Sequence, residues 1–316
     1  MRSPSLPRAL PLLELGGLLL VALLCLLFHL LLPGKLPTEE GYRAVARRLQ
    51  SQARPGDAVL LFPWWTERAR LFVPPGLPVY GYLGSDTDDL SAHPRVWVLG
   101  QPELPRSDEA AFLKDFLPQR RALGEPEREG PLTLTLYENG RHRPRRFTAS
   151  DVVSRARVYL ESDDGARQAC PFNGSAHRCP GQGNIYVATE WHEVLYEPRH
   201  CLWMPAPPGD QKLVAEFDGV PGDVGLRLEG GIIFEYAFPK DAQLTTALLG
   251  VDDAASGARL LDVAIAPGQE GVKKAEVRLP PGAPRTVKVW VRSRNPDRRQ
   301  VCLDVLAVEP AVGVKG

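Results

Sequence analysis

The first apolar segment of the chain covers residues 15–32 and is interrupted only by His29. At about 1.5 Å of rise per residue, a helix of this length nearly matches a hydrocarbon core of about 30 Å. The segment is longer than the apolar centre of a cleaved signal peptide, and no small-x-small cleavage pair follows it. Its leucines leave no polar face at helical period, which argues against a buried core helix. We therefore interpret it as an uncleaved signal anchor.

Basic residues beside this segment predict its orientation. Arg2 and Arg8 precede it, whereas Lys35 is followed by the acidic pair Glu39 and Glu40. Because positive residues favour the cytoplasmic side, we expect a cytoplasmic N-terminus and all later residues outside.

Between residues 37 and 140, helical and strand patterns alternate. A helix is predicted over 39–52, and continuous apolar runs at 58–62 and 95–100 predict strands that are covered on both faces. Residues 132–137 alternate as an edge strand does. Helices are also predicted at 66–72 and 107–117, and a short strand at 78–82. Strands that alternate with helices predict a small α/β domain with a mainly parallel sheet.

From residue 148 onward the pattern changes to short segments that are separated by turns rich in proline and glycine. The clearest alternation of apolar and polar positions lies at 274–279 and 286–292. Short alternating strands at this spacing are typical of a β-sandwich. Candidate strands lie at 184–188, 193–196, 202–204, 212–217, 225–234, 244–250, 258–264, 272–279, 286–291 and 299–308.

These patterns predict an α+β multidomain protein with one transmembrane helix, a small α/β domain and a jelly-roll-like β-sandwich. The predicted parts are 1–36 (cytoplasmic stub and signal anchor), 37–140 (α/β domain), 141–147 (basic linker), 148–310 (sandwich) and 311–316 (tail). The linker arginines would contact anionic lipid head groups or phosphorylated glycans, or would simply be solvated.

Composition limits the function classes. The formal net charge is +0, so no nucleic-acid partner is expected. Arginine is far more frequent than lysine, which is typical of a GC-rich bacterial genome. The 31 prolines and 29 glycines follow no period and indicate many turns between short elements.

Four cysteines follow the anchor, and an even number outside the cytoplasm predicts two disulfides. Three pairings are possible, of which Cys170–Cys179 and Cys201–Cys302 is the most natural. A zinc site is the alternative, but no C-x2-C or H-x3-H spacing is present, so we expect no metal and no cofactor. The ligands of such a zinc site would come from Cys170, His177, Cys179, His192, His200 and Cys201.

Candidate ligand-binding residues are few, and each has a structural alternative. Asp86, Asp88 and Asp89 would offer carboxylates to a divalent cation or would form a solvated loop. Trp64 and Trp65 follow the first strand, where α/β sheets place ligands, and would stack on a sugar or pack under a helix.

Two further motifs lie in the predicted sandwich. Trp290 falls on the polar face of its strand, so it is either an exposed sugar-binding ring or covered by a second layer. His192 and Glu193 invite an acid/base interpretation, with a structural role as the alternative. No glycine-rich phosphate loop, Gly-x-Ser-x-Gly elbow or His-Glu-x-x-His motif is present, so no catalytic residues are assigned.

Pattern-level resemblances accompany both predicted domains. The segments PGDAVLLFP, RVWVLG, FLKDFLPQRRALGEP and LTLTLYE resemble the soluble periplasmic region of polyprenyl-phosphate-dependent glycosyltransferases of the protein-mannosyltransferase and aminoarabinose-transferase type. The catalytic acids of that family lie between transmembrane helices that this sequence lacks, so the resemblance implies an accessory part without the catalytic core. The strand pattern of the second domain resembles galactose-binding-like jelly rolls, many of which bind carbohydrate.

The sequence therefore predicts a non-catalytic binding or accessory protein that is anchored in a bacterial inner membrane and faces the periplasm. Its expected role is in cell-envelope glycan or glycolipid assembly, with a surface glycan and a membrane glycosyltransferase as partners. One alternative is an enzyme with an interdomain site built from the three aspartates or from His192 and Glu193. Another is a purely structural envelope protein.

Overall fold

The computed structural model describes residues 9–63, 66–81, 88–101, 112, 114, 116–118, 120–195, 197–233, 245–269, 271–295 and 299–310. The chain divides into two compact units, residues 1–142 and 143–316.

The first unit begins with the apolar helix that the sequence predicts. Helix α1 (Ala9–Lys35) contains the window Glu14–Leu32, which is long and apolar enough to cross a membrane. The side chains of this window are exposed, as expected for a helix that is surrounded by lipid rather than by protein. The helix is therefore a candidate signal anchor, and its orientation stays a prediction.

The rest of the first unit is one sheet with a helix packed against it. Its elements are α2 (Glu39–Gln52), β1 (Ala58–Phe62), β2 (Val79–Gly81), β3 (Arg95–Gly100), β4 (Arg120–Ala122), β5 (Glu127–Glu129) and β6 (Leu132–Asn139), with 3-10 turns at Glu67–Leu71 and Asp88–Ala92. The strand order is β2-β1-β3-β6-β4, and β5 also pairs with β6. The predicted helix at 107–117 lies partly outside the described residues.

The sheet of the first unit is mixed. Strand β1 is parallel to both β2 and β3, whereas β6 is antiparallel to β3, β4 and β5. The prediction of a mainly parallel sheet is therefore not confirmed. Strands β4, β5 and β6 are joined by short connections, which bring neighbouring strands together only in antiparallel orientation.

Both faces of this sheet are covered, as the continuous apolar runs predict. Leu61 and Leu99 pack with Leu49 of α2 on one face. Leu60 and Val98 pack on the other face, in a cluster that includes two buried phenylalanines. A strand that is buried on both faces has no solvent side on which to place polar residues.

The second unit is a β-sandwich. Its strands are β7 (Arg145–Thr148), β8 (Arg157–Glu161), β9 (Arg167–Ala169), β10 (His177–Arg178), β11 (Tyr186–Val194), β12 (Glu197–Trp203), β13 (Lys212–Val220), β14 (Gly225–Ile232), β15 (Ala247–Asp253), β16 (Arg259–Ile265), β17 (Lys273–Arg278), β18 (Arg285–Arg292) and β19 (Val301–Val308). One sheet has the order β10-β11-β12-β19-β14-β17, with β7 added to β19, and the other has the order β16-β15-β18-β13-β8-β9.

Alternation along each strand divides the two faces of the sandwich sheets. In β19, Leu303 and Val305 belong to the shared core, whereas Cys302 and Asp304 point to the outer face of the first sheet. The named strand pairings of this unit are antiparallel. This architecture confirms the predicted sandwich. The predicted linker 141–147 in part forms β7, which pairs with β19.

The two disulfides are those that the sequence favours. Cys170–Cys179 joins the edge strands β9 and β10 of opposite sheets, and Cys201–Cys302 bridges the neighbouring strands β12 and β19. All four thiols are therefore consumed. Among the described residues, no group of His, Cys, Asp or Glu side chains is arranged to hold a metal ion.

Candidate functional site

The hairpin formed by β11 and β12 presents the most exposed aromatic side chain in the described part of the second unit. Its strands pair from Ala188 and Trp203 to Val194 and Glu197, so two residues connect them, of which the structure describes Leu195. Leu195 adopts a positive φ of 49°. A two-residue hairpin turn requires such backbone, which is unusual for a bulky residue and costs free energy of folding.

One face of this hairpin is open to solvent. Trp191 is 69% exposed, and its ring centroid lies 5.1 Å from that of His200, its cross-strand partner. Glu193, two residues further along β11, lies on the same face and is also exposed. We call Trp191, Glu193 and His200 the hairpin face. It combines an apolar ring with two polar groups.

The hairpin is fixed by close packing at its tip. A Cβ built on Gly231 of β14 would lie 2.6 Å from Val194 Cγ1, and one on Gly271 would lie 3.2 Å from Leu195 Cδ2. Val194 also belongs to a buried apolar cluster with Trp203 and the Cys201–Cys302 disulfide. These contacts hold the strand that carries Trp191, so the hairpin face is largely preformed.

The opposite face of the hairpin carries a partly buried group of polar and aromatic side chains. His192 Nε2 lies 3.1 Å from Glu190 Oε2, and the imidazole stacks on Trp203 at 4.5 Å. Tyr186 donates a long hydrogen bond of 3.4 Å to the same carboxylate, and burial raises the pKa of Tyr186. Because neighbouring residues of a strand point to opposite faces, His192 and Glu193 do not act as a pair. The geometry favours the structural alternative for that dipeptide, and an acid/base role stays a prediction.

Trp290 is covered rather than open. Only 4% of it is exposed, and its Nε1 donates to Asp252 Oδ2 at 3.1 Å. The Arg259 guanidinium lies 4.4 Å from the ring centroid and Lys212 Nζ lies 5.2 Å from it. A sugar would have to displace these cations in order to stack on this ring, so the structure favours the covered alternative. A binding role for Trp290 stays a prediction.

The other predicted ligand residues fall mostly outside the described part of the chain. Trp64, Trp65 and Asp86 lie among residues that the structure does not describe, and for Asp88 and Asp89 only the backbone, in a 3-10 turn, is described. Strands β1 and β2 are parallel neighbours, so the segments that follow them leave the same edge of the sheet. The binding roles of these five residues stay predictions.

The arginines of the predicted linker are partly neutralised by carboxylates. Arg143 forms a bidentate pair with Glu276 and donates to the Glu309 carbonyl oxygen, and Arg146 pairs with the Glu309 carboxylate. Glu276 also accepts from Arg227, and the two arginines lower its pKa against the effect of burial. These contacts favour a structural role over a site for anionic head groups.

The sequence prediction missed the hairpin face. Its signal was the alternation Trp191-x-Glu193, which places an indole and a carboxylate on one side of a strand. Residues 189–193 are five consecutive polar or aromatic residues, so sequence alone does not show which face of the strand is covered.

Comparisons with known proteins give fold-level likeness only. No family model matches the chain, and no curated protein matches its sequence. Solved structures that match in part include CBM51-2 with GlcNAc and INT domains from Clostridium perfringens ZmpB, at 9% identity over 48% of this chain and a TM-score of 0.25. The carbohydrate-binding module TmCBM27, described for mannan recognition, matches at 8% identity over 39% of this chain and a TM-score of 0.26. The xylan-binding module CBM15 matches at 7% identity over 49% of this chain and a TM-score of 0.28.

The matched region spans 25% of the Clostridium chain, 80% of the mannan-binding module and 93% of the xylan-binding module. These neighbours are carbohydrate-binding modules, but likeness at such TM-scores carries no functional argument. The glycosyltransferase resemblance of the first unit finds no support in these comparisons.

Proposed function

We propose that this protein is a membrane-tethered glycan-binding module and that the hairpin face is its binding surface. The observation that carries the proposal is the exposure of Trp191 on a hairpin whose tip is packed against Gly231 and Gly271. A large indole left open to water, on a support that does not need to reorganise, is a feature of binding surfaces.

The chemistry of the hairpin face suits a pyranose ring. The indole offers a flat apolar surface to the C–H groups of a sugar, while Glu193 accepts hydrogen bonds from hydroxyl groups and His200 donates or accepts them. Binding sites of this kind place a few polar groups around an aromatic surface in order to fix the orientation of the ligand.

The proposed location rests on α1 and on the disulfides. A single apolar helix would tether the second unit, and two disulfides suit an oxidising compartment outside the cytoplasm. We extend this to the periplasmic side of a bacterial inner membrane, with a role in envelope glycan or glycolipid assembly beside a membrane glycosyltransferase.

A glycan array probed with the full chain in detergent micelles tests the proposal. We expect binding to at least one glycan class, and Trp191→Ala should weaken it by about fivefold or more, since stacking on an aromatic ring contributes about 1 kcal/mol or more. Phe172→Ala is the matched control because Phe172 is also partly exposed but lies in the Cys170–Cys179 loop. Absence of glycan binding, or equal binding by Trp191→Ala and wild type, would contradict the proposal.

A further inference from the structure

We infer that the glycan bound by the hairpin face carries a protonated amine, so that its chemical class is an amino sugar. This inference rests on the proposed function and specifies its ligand. It is carried by the charge and the contacts of the groups around Trp191.

The first observation is the state of Glu193. This carboxylate is exposed and has no hydrogen-bond or salt-bridge partner in the described part of the chain. Elsewhere on the hairpin, Glu190 is engaged by His192 and Tyr186. Glu193 therefore remains available to a ligand cation, two residues from an open indole.

The second observation is the indole itself. The face of a tryptophan ring carries negative electrostatic potential and attracts ammonium groups within about 6 Å of its centroid. The same protein already places cations on buried aromatic rings, with Arg259 4.4 Å from Trp290 and Arg167 4.6 Å from Tyr159. Trp191 differs in being exposed beside an unpaired carboxylate.

The third observation concerns Arg199, which precedes His200 on β12. Arg199 belongs to the opposite side of β12, where it lies 3.9 Å from the Glu229 carboxylate. The basic group on the hairpin face, His200, is turned against the indole. In the described part of the chain no arginine pairs with Glu193, so the like charges of Glu193 and a uronic acid would repel each other and disfavour that class.

Chitosan oligosaccharides and their fully acetylated counterparts provide a matched pair of probes. They share one backbone and differ in whether the amine is free and charged or acetylated and neutral. Titration calorimetry with the full chain in micelles, at a pH where the free amine is protonated, should give about tenfold tighter binding of the free-amine oligomer, equivalent to about 1.4 kcal/mol. An oligogalacturonate should bind more weakly than either.

Two variants test whether Glu193 causes the tighter binding of the free-amine oligomer. Glu193→Gln keeps the shape of the side chain and should abolish the difference between the two chitosan-type oligomers. Asp262→Asn removes the same charge from an exposed position on β16 and should leave the difference unchanged. Trp191→Ala should weaken both oligomers. Unchanged melting temperatures would show that the variants fold.

The outcomes separate this inference from the proposed function. Equal affinity for both oligomers, or a preference that survives Glu193→Gln, would overturn the amino-sugar class while Trp191-dependent glycan binding still stood. A tighter complex with the oligogalacturonate would also overturn it. If no glycan binds at all, the proposed function and the inference fail together.

Discussion

Val194 of β11 and Gly231 of β14 touch so closely that a Cβ at residue 231 would lie 2.6 Å from Val194 Cγ1. The same virtual Cβ would lie 3.0 Å from the carbonyl oxygen of Gly271. The absence of a side chain at residue 231 therefore sets how near the hairpin tip approaches β14. The position of the proposed binding surface depends on this contact.

Gly231→Ala should displace the hairpin. It should reduce the free energy of glycan binding more than it reduces the free energy of unfolding. Overpacking of this kind costs about 1–3 kcal/mol, and the strain should be relieved by movement of the hairpin tip. Glycan affinity and hydrogen exchange of the β11 amides would measure the effect. Gly183→Ala is the control because nothing lies within 4 Å of its virtual Cβ. Equal affinities for the two variants would contradict the prediction.

Gly250→Ala should destabilise the second sandwich sheet by about 1–3 kcal/mol. Its Cβ would lie 2.2 Å from Trp290 Cζ2, so the indole would have to move and would lose its hydrogen bond to Asp252. Urea unfolding would measure the loss. Gly282→Ala, where the virtual Cβ meets nothing within 4 Å, should have little effect. An unchanged midpoint for Gly250→Ala would contradict the contact with Trp290.

The buried carboxyl of Asp304 should make stability depend on pH. Burial raises its pKa to about 6, although Ser150 donates both its backbone N–H and its hydroxyl to the carboxylate. The folded state therefore binds a proton more tightly than the unfolded chain, whose pKa is about 3.9. The contribution to stability is present below about pH 4 and is lost as pH rises through 6.

Asp304→Asn removes this titration and keeps groups that can bond to Ser150. We expect the wild-type free energy of unfolding, measured relative to Asp304→Asn, to fall by about 2 kcal/mol between pH 4 and pH 7. Urea titrations of both proteins at several pH values would measure the difference. A difference that does not vary with pH would show that Asp304 does not titrate in this range.

The two disulfides should contribute unequally to stability. Cys201–Cys302 joins residues 101 apart, whereas Cys170–Cys179 joins residues nine apart. In the chain-entropy model, loss of the long loop costs up to about 4.7 kcal/mol and loss of the short one less than about 3 kcal/mol. Replacement of each pair by serines, followed by thermal unfolding, tests the order. A larger loss for the short loop would contradict it.

Asp57 should be essential for the stability of the first unit. It is 1% exposed and accepts from Arg95 Nε at 2.8 Å, Arg95 Nη2 at 2.6 Å and Trp97 Nε1 at 3.0 Å. Asp57→Ala leaves the guanidinium without its carboxylate and should cost about 3–5 kcal/mol. Hydrogen exchange of the β1 and β3 amides would report the loss. Glu39→Ala, which breaks an exposed pair with Arg43, should cost less than about 1 kcal/mol.

Several features of the fold followed from the sequence because they depend on local pattern. The run that forms α1 is apolar on every side, and no tertiary contact is needed to recognise it. Val59 and Leu60 are adjacent and both apolar, which predicted that β1 is covered on both faces, and they do belong to separate core clusters. The cysteine pairing followed from chain order and an even count.

Sheet direction and exposure needed the tertiary structure. The residues of β6 alternate in the same way whether the strand is parallel or antiparallel to β3, so the mixed sheet could not be predicted from them. Trp191 and Trp290 both lie on strands where the residues two positions before and after them are polar, yet one is 69% exposed and the other 4%. Alternation in a strand defines two faces but does not show which of them is covered. Gly250, Arg259 and Lys212 pack against Trp290 and cover it. Trp191 stays open to solvent.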